Sequence, residues 1–396
     1  NWQSVSLNNS YTNPVVIVSD PTFNGGDPAA VRLRNIGSSS FQIRLQEPNY
    51  KDGSHTNETL SYIVVEAGEW ELSDGTRLSA GTTNSNKLSS AGFESLSFSN
   101  SFSSAPTVLS QVQTYAGSDW VITRTKDINA SGFQLTMQEE ESLNSEGHAS
   151  ESIGWLAIDS GSASDGSTSL QAATTTNSYT HNPTAVTYSS AFSSVPSLLA
   201  KLNSFDGPDP ANLRISSPSA SGFIARVHEE QSADSEINHT TESLAFLALD
   251  GASGALAGSS YAPPADTTAP TLSISDNIAG TANGDVVFSF TFSEAVYGFS
   301  ADDINISSNA SKGSFSGSDG DSSYTLTVSP NANSSGTITV DVNADSATDA
   351  ANNGNSAATQ ATQVFDTRST FAEYGQLSIN HNWQSVSLDN SYTNPV

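Results

Sequence analysis

Cysteine is absent from all 396 residues, which excludes disulfide staples, thiolate metal sites and thiol nucleophiles. Basic side chains are scarce: 13 Lys and Arg stand against 41 Asp and Glu, for a formal net charge of −28. A chain of that balance cannot neutralise a run of phosphates, so nucleic acid and anionic membrane surfaces are poor partners. Divalent cations and neutral glycans are the chemistries that remain. No apolar run approaches the ~20 residues that span a bilayer, no signal peptide is recognisable, and membrane insertion of this segment is not expected. Lys and Glu, the usual helix-surface residues, are thin, and no stretch sustains a 3.6-residue apolar period. Catalytic signatures are missing too. There is no Gly-x-Ser-x-Gly elbow, no phosphate-cradling glycine loop, and no carboxylate pair framed by apolar residues to split two pKa values. The chain is not expected to be an enzyme.

What is present is alternation. Apolar residues make up 35% of the chain, in short period-two runs such as Val15–Val18, Val31–Arg34, Phe41–Gln46 and Leu60–Val65, set between Ser, Thr, Asn and Gly. The fold class this predicts is all-β, a string of β-sandwich domains without significant helix.

The runs recur. Phe102-Ser-Ser-Ala-Pro106 returns as Phe192-Ser-Ser-Val-Pro196, and Ala130-Ser-Gly-Phe133 as Ala220-Ser-Gly-Phe223 at the same offset. In a more diverged leading copy, Tyr11-Thr-Asn-Pro14 stands for the Phe–Pro corner and Ser40-Phe41 for the Gly–Phe step. The copies end alike at Tyr62–Glu66, Trp155–Asp159 and Phe246–Asp250. These matches divide the chain into sandwiches over 1–75, 76–160 and 166–250, then a Gly/Ala/Ser/Pro-rich linker over 251–266. A fourth sandwich of a different pattern follows over 267–367, with Val287–Phe292, Tyr324–Val328 and Ile338–Val342 as its clearest strands.

A longer period overlies the short one. Asn1–Val15 and Asn382–Val396 share one fifteen-residue sequence except that Asn8 becomes Asp389. Residues 371–396 therefore read as the start of a further copy of the first sandwich. Phe371–His381, just ahead of that repeat, reads as a strand. The first sandwich lacks such a strand, and an equivalent of 371–381 is expected to supply it. The expected partner is accordingly further copies of itself, in one continuous array or as strand-linked subunits.

Two resemblances attach to these residues. Through Phe98, Phe102-x-x-x-Pro106-x-Val108 and Ser131-Gly-Phe133, the first 250 residues are similar to H-type lectin modules. That resemblance implies six-stranded sandwiches that associate in threes and bind sugars. The fourth sandwich resembles bacterial Ig-like domains of large surface adhesins, through Ala269-Pro-Thr271, Phe292-Ser-Glu-Ala-Val296, Gly298-Phe299, Asp302-Asp-Ile304 and Asp349 with Asn352-Asn-Gly-Asn355. Together they imply a very long extracellular or cell-surface bacterial protein, fibrous or adhesive.

Superposing the three short copies leaves a recurring polar set: Asp27, Arg32, Glu47, His55 and Glu58; Asp119, Arg124, Glu139, His148 and Glu151; Asp209, Arg214, Glu229, His239 and Glu242. His with carboxylates can ligate a metal, and Arg with Asp can grip sugar hydroxyls. Equally, each Arg can be tied to a nearby carboxylate and pin a loop across a sandwich end. Trp120, Tyr50 and Phe205 lie in loops where a glycan platform is expected, although they differ in kind between copies and no residue of the lectin family's sugar site maps onto them. Trp2, Trp70 and Trp155 fall in strands and read as packing residues. In the fourth sandwich Asp302, Asp303, Asp349, Asn352 and Asn355 are hard oxygen donors in Gly-bearing loops, which suits calcium. The same residues also read as a solvated acidic loop. The doublets Glu139-Glu140 and Glu229-Glu230 read as solvated strand ends that discourage edge pairing.

Overall fold

A computed structural model describes residues 1–144, 147–369, 371–372, 374–378, 382–383 and 385–387. It divides into two compact units, Asn1–Pro263 and Pro264–Val396. The architecture is all-β, built from antiparallel sheets.

The first unit holds three sandwiches. The leading one comprises β1 (Gln3–Ser6), β2 (Pro14–Val18), β3 (Ala30–Arg34), β4 (Ser40–Gln46) and β5 (Tyr62–Glu66). A hairpin strand β6 (Gly68–Glu71) then introduces the second: β7 (Arg77–Ser85), β8 (Glu94–Ser97), β9 (Thr107–Val112), β10 (Val121–Asn129), β11 (Gly132–Glu139) and β12 (Glu151–Ile158). The third repeats the plan, with hairpin strand β13 (Gly161–Ser164) ahead of β14 (Ser169–Thr174), β15 (Thr184–Thr187), β16 (Ser197–Leu202), β17 (Ala211–Ser219), β18 (Gly222–Glu229) and β19 (Leu244–Leu249). Because β6 pairs with β7, the division expected at residue 75 falls instead between β5 and β6. Part of the expected linker also lies on this unit. In it, β20 (Ser259–Ser260) pairs with β6, and Tyr261 lies under the Arg77 guanidinium at 3.8 Å.

One sheet of each sandwich has the order β1-β4-β3, β8-β11-β10 or β15-β18-β17. The glycine of the repeated Ser-Gly-Phe step is fixed by this pairing. A Cβ on Gly132 would stand 2.2 Å from the Leu96 carbonyl oxygen, and one on Gly222 2.1 Å from that of Val186. The other sheet differs between copies. It is β7-β12-β9 in the second and β14-β19-β16 in the third, but only β2-β5 in the first. Along β2 the residues Val16 and Val18 join their own sandwich core with Leu33 and Phe41. Val15 and Ile17 face the other way, into a core shared by all three sandwiches. Ile17, Leu109 and Leu199, each the third residue after a corner proline, meet there with Leu78, Ala80, Leu156, Ile158, Leu170, Ala172 and Leu247.

The second unit is a single sandwich. Its sheets are β21-β22-β25-β24 and β23-β26-β27, from β21 (Leu272–Asp276), β22 (Val286–Phe292), β23 (Ile304–Ile306), β24 (Ala310–Ser316), β25 (Ser323–Pro330), β26 (Ser335–Val342) and β27 (Ala361–Asp366). Strict alternation puts Val286, Phe288, Phe290 and Phe292 inside against Tyr324, Leu326, Val328, Ile338 and Val340.

The strand expected over 371–381 is not formed by its described residues, because a strand needs a neighbour to satisfy its backbone and this one has none here. Phe371, Tyr374, Leu377, Trp383 and Val386 are exposed. The remainder of the repeat, residues 388–396, lies outside the described residues.

Candidate functional site

The recurring polar set is brought together, and it is brought together between sandwiches. Arg32, Arg124 and Arg214 lie on the equivalent strands β3, β10 and β17, and all three are at most 1% exposed. Among the described residues none pairs with a carboxylate of its own sandwich. Arg32 donates to Glu151 of the second at 3.1 Å, Arg124 to Glu242 of the third, and Arg214 to Glu58 of the first at 2.8 Å. First reaches second, second reaches third, and third returns to first, so the sandwiches form a closed cycle.

Each glutamate is the hub of a loop of recurring pattern: Thr or Ser, an aromatic, any residue, Gly, any residue, Asp. The three instances are Thr22-Phe-Asn-Gly-Gly-Asp27, Thr114-Tyr-Ala-Gly-Ser-Asp119 and Ser204-Phe-Asp-Gly-Pro-Asp209. The leading hydroxyl donates to the hub carboxylate: Thr22 to Glu58 at 2.5 Å, Thr114 to Glu151 and Ser204 to Glu242. Backbone N–H groups add to it, from Asn24 and Gly25, Ala116 and Gly117, and Asp206 and Gly207. The incoming arginine also donates to carbonyl oxygens of that loop: Arg32 to Gly117 and Asp119, Arg124 to Ser204, Arg214 to Thr22, Gly25 and Asp27. Its guanidinium lies 4.5–5.2 Å from the centroid of the loop aromatic: Arg32 with Tyr115, Arg124 with Phe205 and Arg214 with Phe23.

The histidines complete each hub from within the sandwich. His148 has one ring nitrogen on Glu139 and the other on Glu151, His239 likewise on Glu229 and Glu242, and His55 on Glu47 and Glu58. A ring with a carboxylate at each nitrogen makes both hydrogen bonds only as imidazolium. Burial works against that charge on His148, but Glu139 and Glu151 outweigh it and raise the pKa to about 9. His239 is raised on the same balance. Burial likewise opposes ionisation of Glu151 and Glu242, and their donors nevertheless hold both down at about 2. Burial lowers Arg32 to about 10, with Glu151 acting to restore it. The loop glycine makes room for the ring, since a Cβ on Gly117 would stand 2.4 Å from His148 and one on Gly207 2.7 Å from His239.

The third junction varies the theme. Gln46 and Gln138 accept from Arg32 and Arg124, whereas His228 takes that place beside Arg214. Burial, then the Arg214 and Arg226 charges, lower His228 to about 3 and keep it neutral.

The leading aspartates play lesser parts. Asp27 pairs with Lys51 at 2.8 Å and is half exposed. Asp119 accepts from Asn49 at 3.2 Å and lies with Glu139 and His148 in one cluster of potential metal ligands. Burial and nearby Glu229 raise Asp209. Both nitrogens of His148 already face carboxylates, so a metal there would have to displace a proton held well above the usual histidine range. Chemically this is a buried ion network rather than an open coordination site.

Two expectations are corrected here. Trp120 is no surface platform. It is fully buried, packed with Ala30 and Ile122, because the cycle lays the first sandwich over it. The Glu doublets are not solvated: Glu139, Glu140, Glu229 and Glu230 are at most 4% exposed. Glu140 accepts from the backbone N–H of Asn49 at 2.6 Å and Glu230 from that of Glu141 at 2.6 Å, in each case from the preceding sandwich. Phe205 is half-buried, edge-on to Phe93, while Tyr50 stays exposed beside Lys51. Trp2 packs edge-on against Tyr115 of the second sandwich, Trp155 against Phe98 and Phe133, and Trp70 on the shared core.

In the second unit Asp349 converges with Asp266 and Glu294, their ligand atoms all within 4.8 Å of one another. Asp302 and Asp303 are not in that group. They sit in the 3-10 turn Ala301–Asp303, where the Asp303 carboxylate accepts from Ser300. Asn355 is buried, donating to Asn343 and Ser356 carbonyls and accepting from Ala347 N–H. Asn352 has a positive φ of 67° and shapes the loop around Asp349.

Phe23, Tyr115 and the hydroxyls of Thr22, Thr114 and Ser204 escaped the sequence reading, which singled out Phe205 alone of the loop aromatics. The six-residue pattern that marks them was available, but its aromatic is Phe in two loops and Tyr in the third, and its spacing to the hub glutamate varies.

Comparison with known proteins agrees on the second unit first. Residues 266–365 match the bacterial Ig-like domain family. Over 281 residues, 68% of this chain, the sequence is 29% identical to halomucin from Haloquadratum walsbyi (strain DSM 16790 / HBSQ001). The matched stretch spans 3% of that protein's length. No solved structure matches. Among the described residues no helix is long and apolar enough to cross a membrane.

Proposed function

We propose that this chain is a repeating structural segment of a much longer extracellular, surface-associated protein, with successive copies joined at a spacing of 381 residues (position 382 against position 1). The observation that carries the reading is the fifteen-residue sequence at 1–15 and 382–396, whose first instance supplies β1 and the start of β2. Similarity to a small fraction of a far longer protein and the Ig-like match both support it. The buried ions fit a structural role. The hub carboxylates of Glu58, Glu151 and Glu242 each accept several donors within the unit, so they hold sandwiches to one another and leave little for a ligand. Denaturing electrophoresis of the native polypeptide is expected to give a mass several times 41.2 kDa, and antibodies against the first unit are expected to label intact cells. A native polypeptide near 41.2 kDa overturns the continuous array.

A sugar-binding role is the second reading. It is favoured by three related sandwiches closed in a cycle, the association that H-type lectin modules imply. Against it stands the loss of Trp120 and Phe205 as open platforms. Retention on a glycan array, abolished by Tyr50→Ala, separates it from the first reading.

A further inference from the structure

The shared core of the first unit has three equivalent places for an outer strand, and the described residues fill two of them. β7 lies along β12 and β14 along β19, whereas β5, their counterpart, pairs with β2 alone among the described residues. The cost is visible in burial. Leu156 and Leu247 are fully buried, but their counterpart Ile63 is only partly so, and Tyr62 is 45% exposed where its counterpart Phe246 is 4%. An unpaired edge over apolar residues in a twisted sheet is a template for another strand.

We infer that this edge is filled by the segment Phe371–Ser378 of another copy of the sequence, added antiparallel to β5. Three observations name the occupant. The segment stands just ahead of a repeat of Asn1–Val15, the sequence that forms β1, as β7 stands ahead of β8 and β14 ahead of β15. Its Phe371, Tyr374 and Leu377 are exposed and unused, a pattern of apolar side chains that marks an interaction segment. Its one glycine sets the register. The aromatic on the central strand faces a small residue on the outer one: Trp155 faces Gly81, where a Cβ would stand 2.6 Å from the indole, and Phe246 faces Ala173. Gly375 opposite Tyr62 meets that need. It places Tyr374 opposite Ile63 and Ala372 opposite Val65, on the shared-core side held by Ala80 and Leu78 in the second sandwich. Backbone pairing would give affinity and the alternate side chains specificity.

The inference rests on the reading of this chain as a repeat unit, yet the two fail separately, since native polypeptide mass does not depend on strand addition. The full 396-residue chain is mixed with a synthetic peptide of residues 367–380, and hydrogen exchange is followed along Tyr62–Glu66. Amides that face away from β2 are expected to slow at least ~tenfold, and a Gly375→Val peptide to have no effect. Unchanged exchange at millimolar peptide, or equal protection by both peptides, overturns the inference. Because the chain has no cysteine, a second measurement is clean. Val65→Cys and Ala372→Cys chains are mixed under mild oxidation, with Val65→Cys and Leu377→Cys as the off-register control. A disulfide-linked heterodimer in excess over the control supports it. A Val65→Cys/Ala372→Cys double variant that closes only within one chain overturns the claim that another copy is the donor.

Discussion

Arg32, Arg124 and Arg214 spend their charge outside the sandwich that carries them, and the energetics of buried pairs say what that accomplishes. Desolvating two ions offsets most of their attraction, so such a pair adds little net stability, whereas removing one partner strands the other and costs about 3–5 kcal/mol. Arg124→Met is therefore expected to lower the unfolding free energy of the first unit by about that amount, and the Arg124→Met/Glu242→Met double variant by clearly less than the sum of the singles, read by chemical denaturation. The pH dependence follows from the shifts. His148 is raised from 6.5 to about 9, so its contribution is complete below 6.5 and is lost as pH climbs through 9. Glu151 and Glu242 are lowered from 4.5 to about 2, so theirs is complete above 4.5 and is lost as pH falls through 2. His228, lowered to about 3, adds a loss as pH falls below 6.5. Thermal unfolding is expected to show maximal stability near pH 6–7, and His148→Gln to flatten the alkaline limb.

At the scale of elements, glycine decides where strands can approach. Gly132 and Gly222 lie where a neighbouring carbonyl leaves no space for a Cβ, and backbone cannot swing aside as a side chain can. Gly132→Ala is expected to destabilise by about 1–3 kcal/mol or more. Gly117→Ala, which strikes the His148 ring, should cost less only if the ring leaves its hub. A shift of His148 to a lower pKa by NMR in Gly117→Ala would report that movement. The Ser-Gly-Phe steps were legible in the sequence because their spacing repeats. The hub loops were less so, since Tyr115 stands where the other two carry Phe23 and Phe205, and the distance in sequence to the hub glutamate shifts from copy to copy.

For the whole molecule, a charge of −28 sets long-range repulsion against local ion pairs. Salt shortens the Debye length from ~10 Å at 0.1 M to ~3 Å at 1 M. It therefore relieves repulsion between exposed carboxylates while leaving the buried hubs almost untouched. Melting temperature is expected to rise between 0.1 and 1 M NaCl, and to keep rising in the Arg124→Met variant. Calorimetry is expected to resolve two transitions, one for each compact unit. The first should behave as a single cooperative event, because its three sandwiches share one core.

Period-two patterning, turn residues and internal repeats are local properties, and through them the amino-acid sequence alone determined the all-β class, the four sandwiches and the recurrence of Arg, His and Glu. Local pattern carries no information about which copy a side chain reaches. The tertiary structure decided that Arg32 meets Glu151 rather than Glu58, that Trp120 and the Glu doublets are interior, and that among the described residues β5 pairs with β2 alone. Each of these depends on three sandwiches closing into a cycle, where burial is set by neighbours as far apart in the chain as Phe23 and His228.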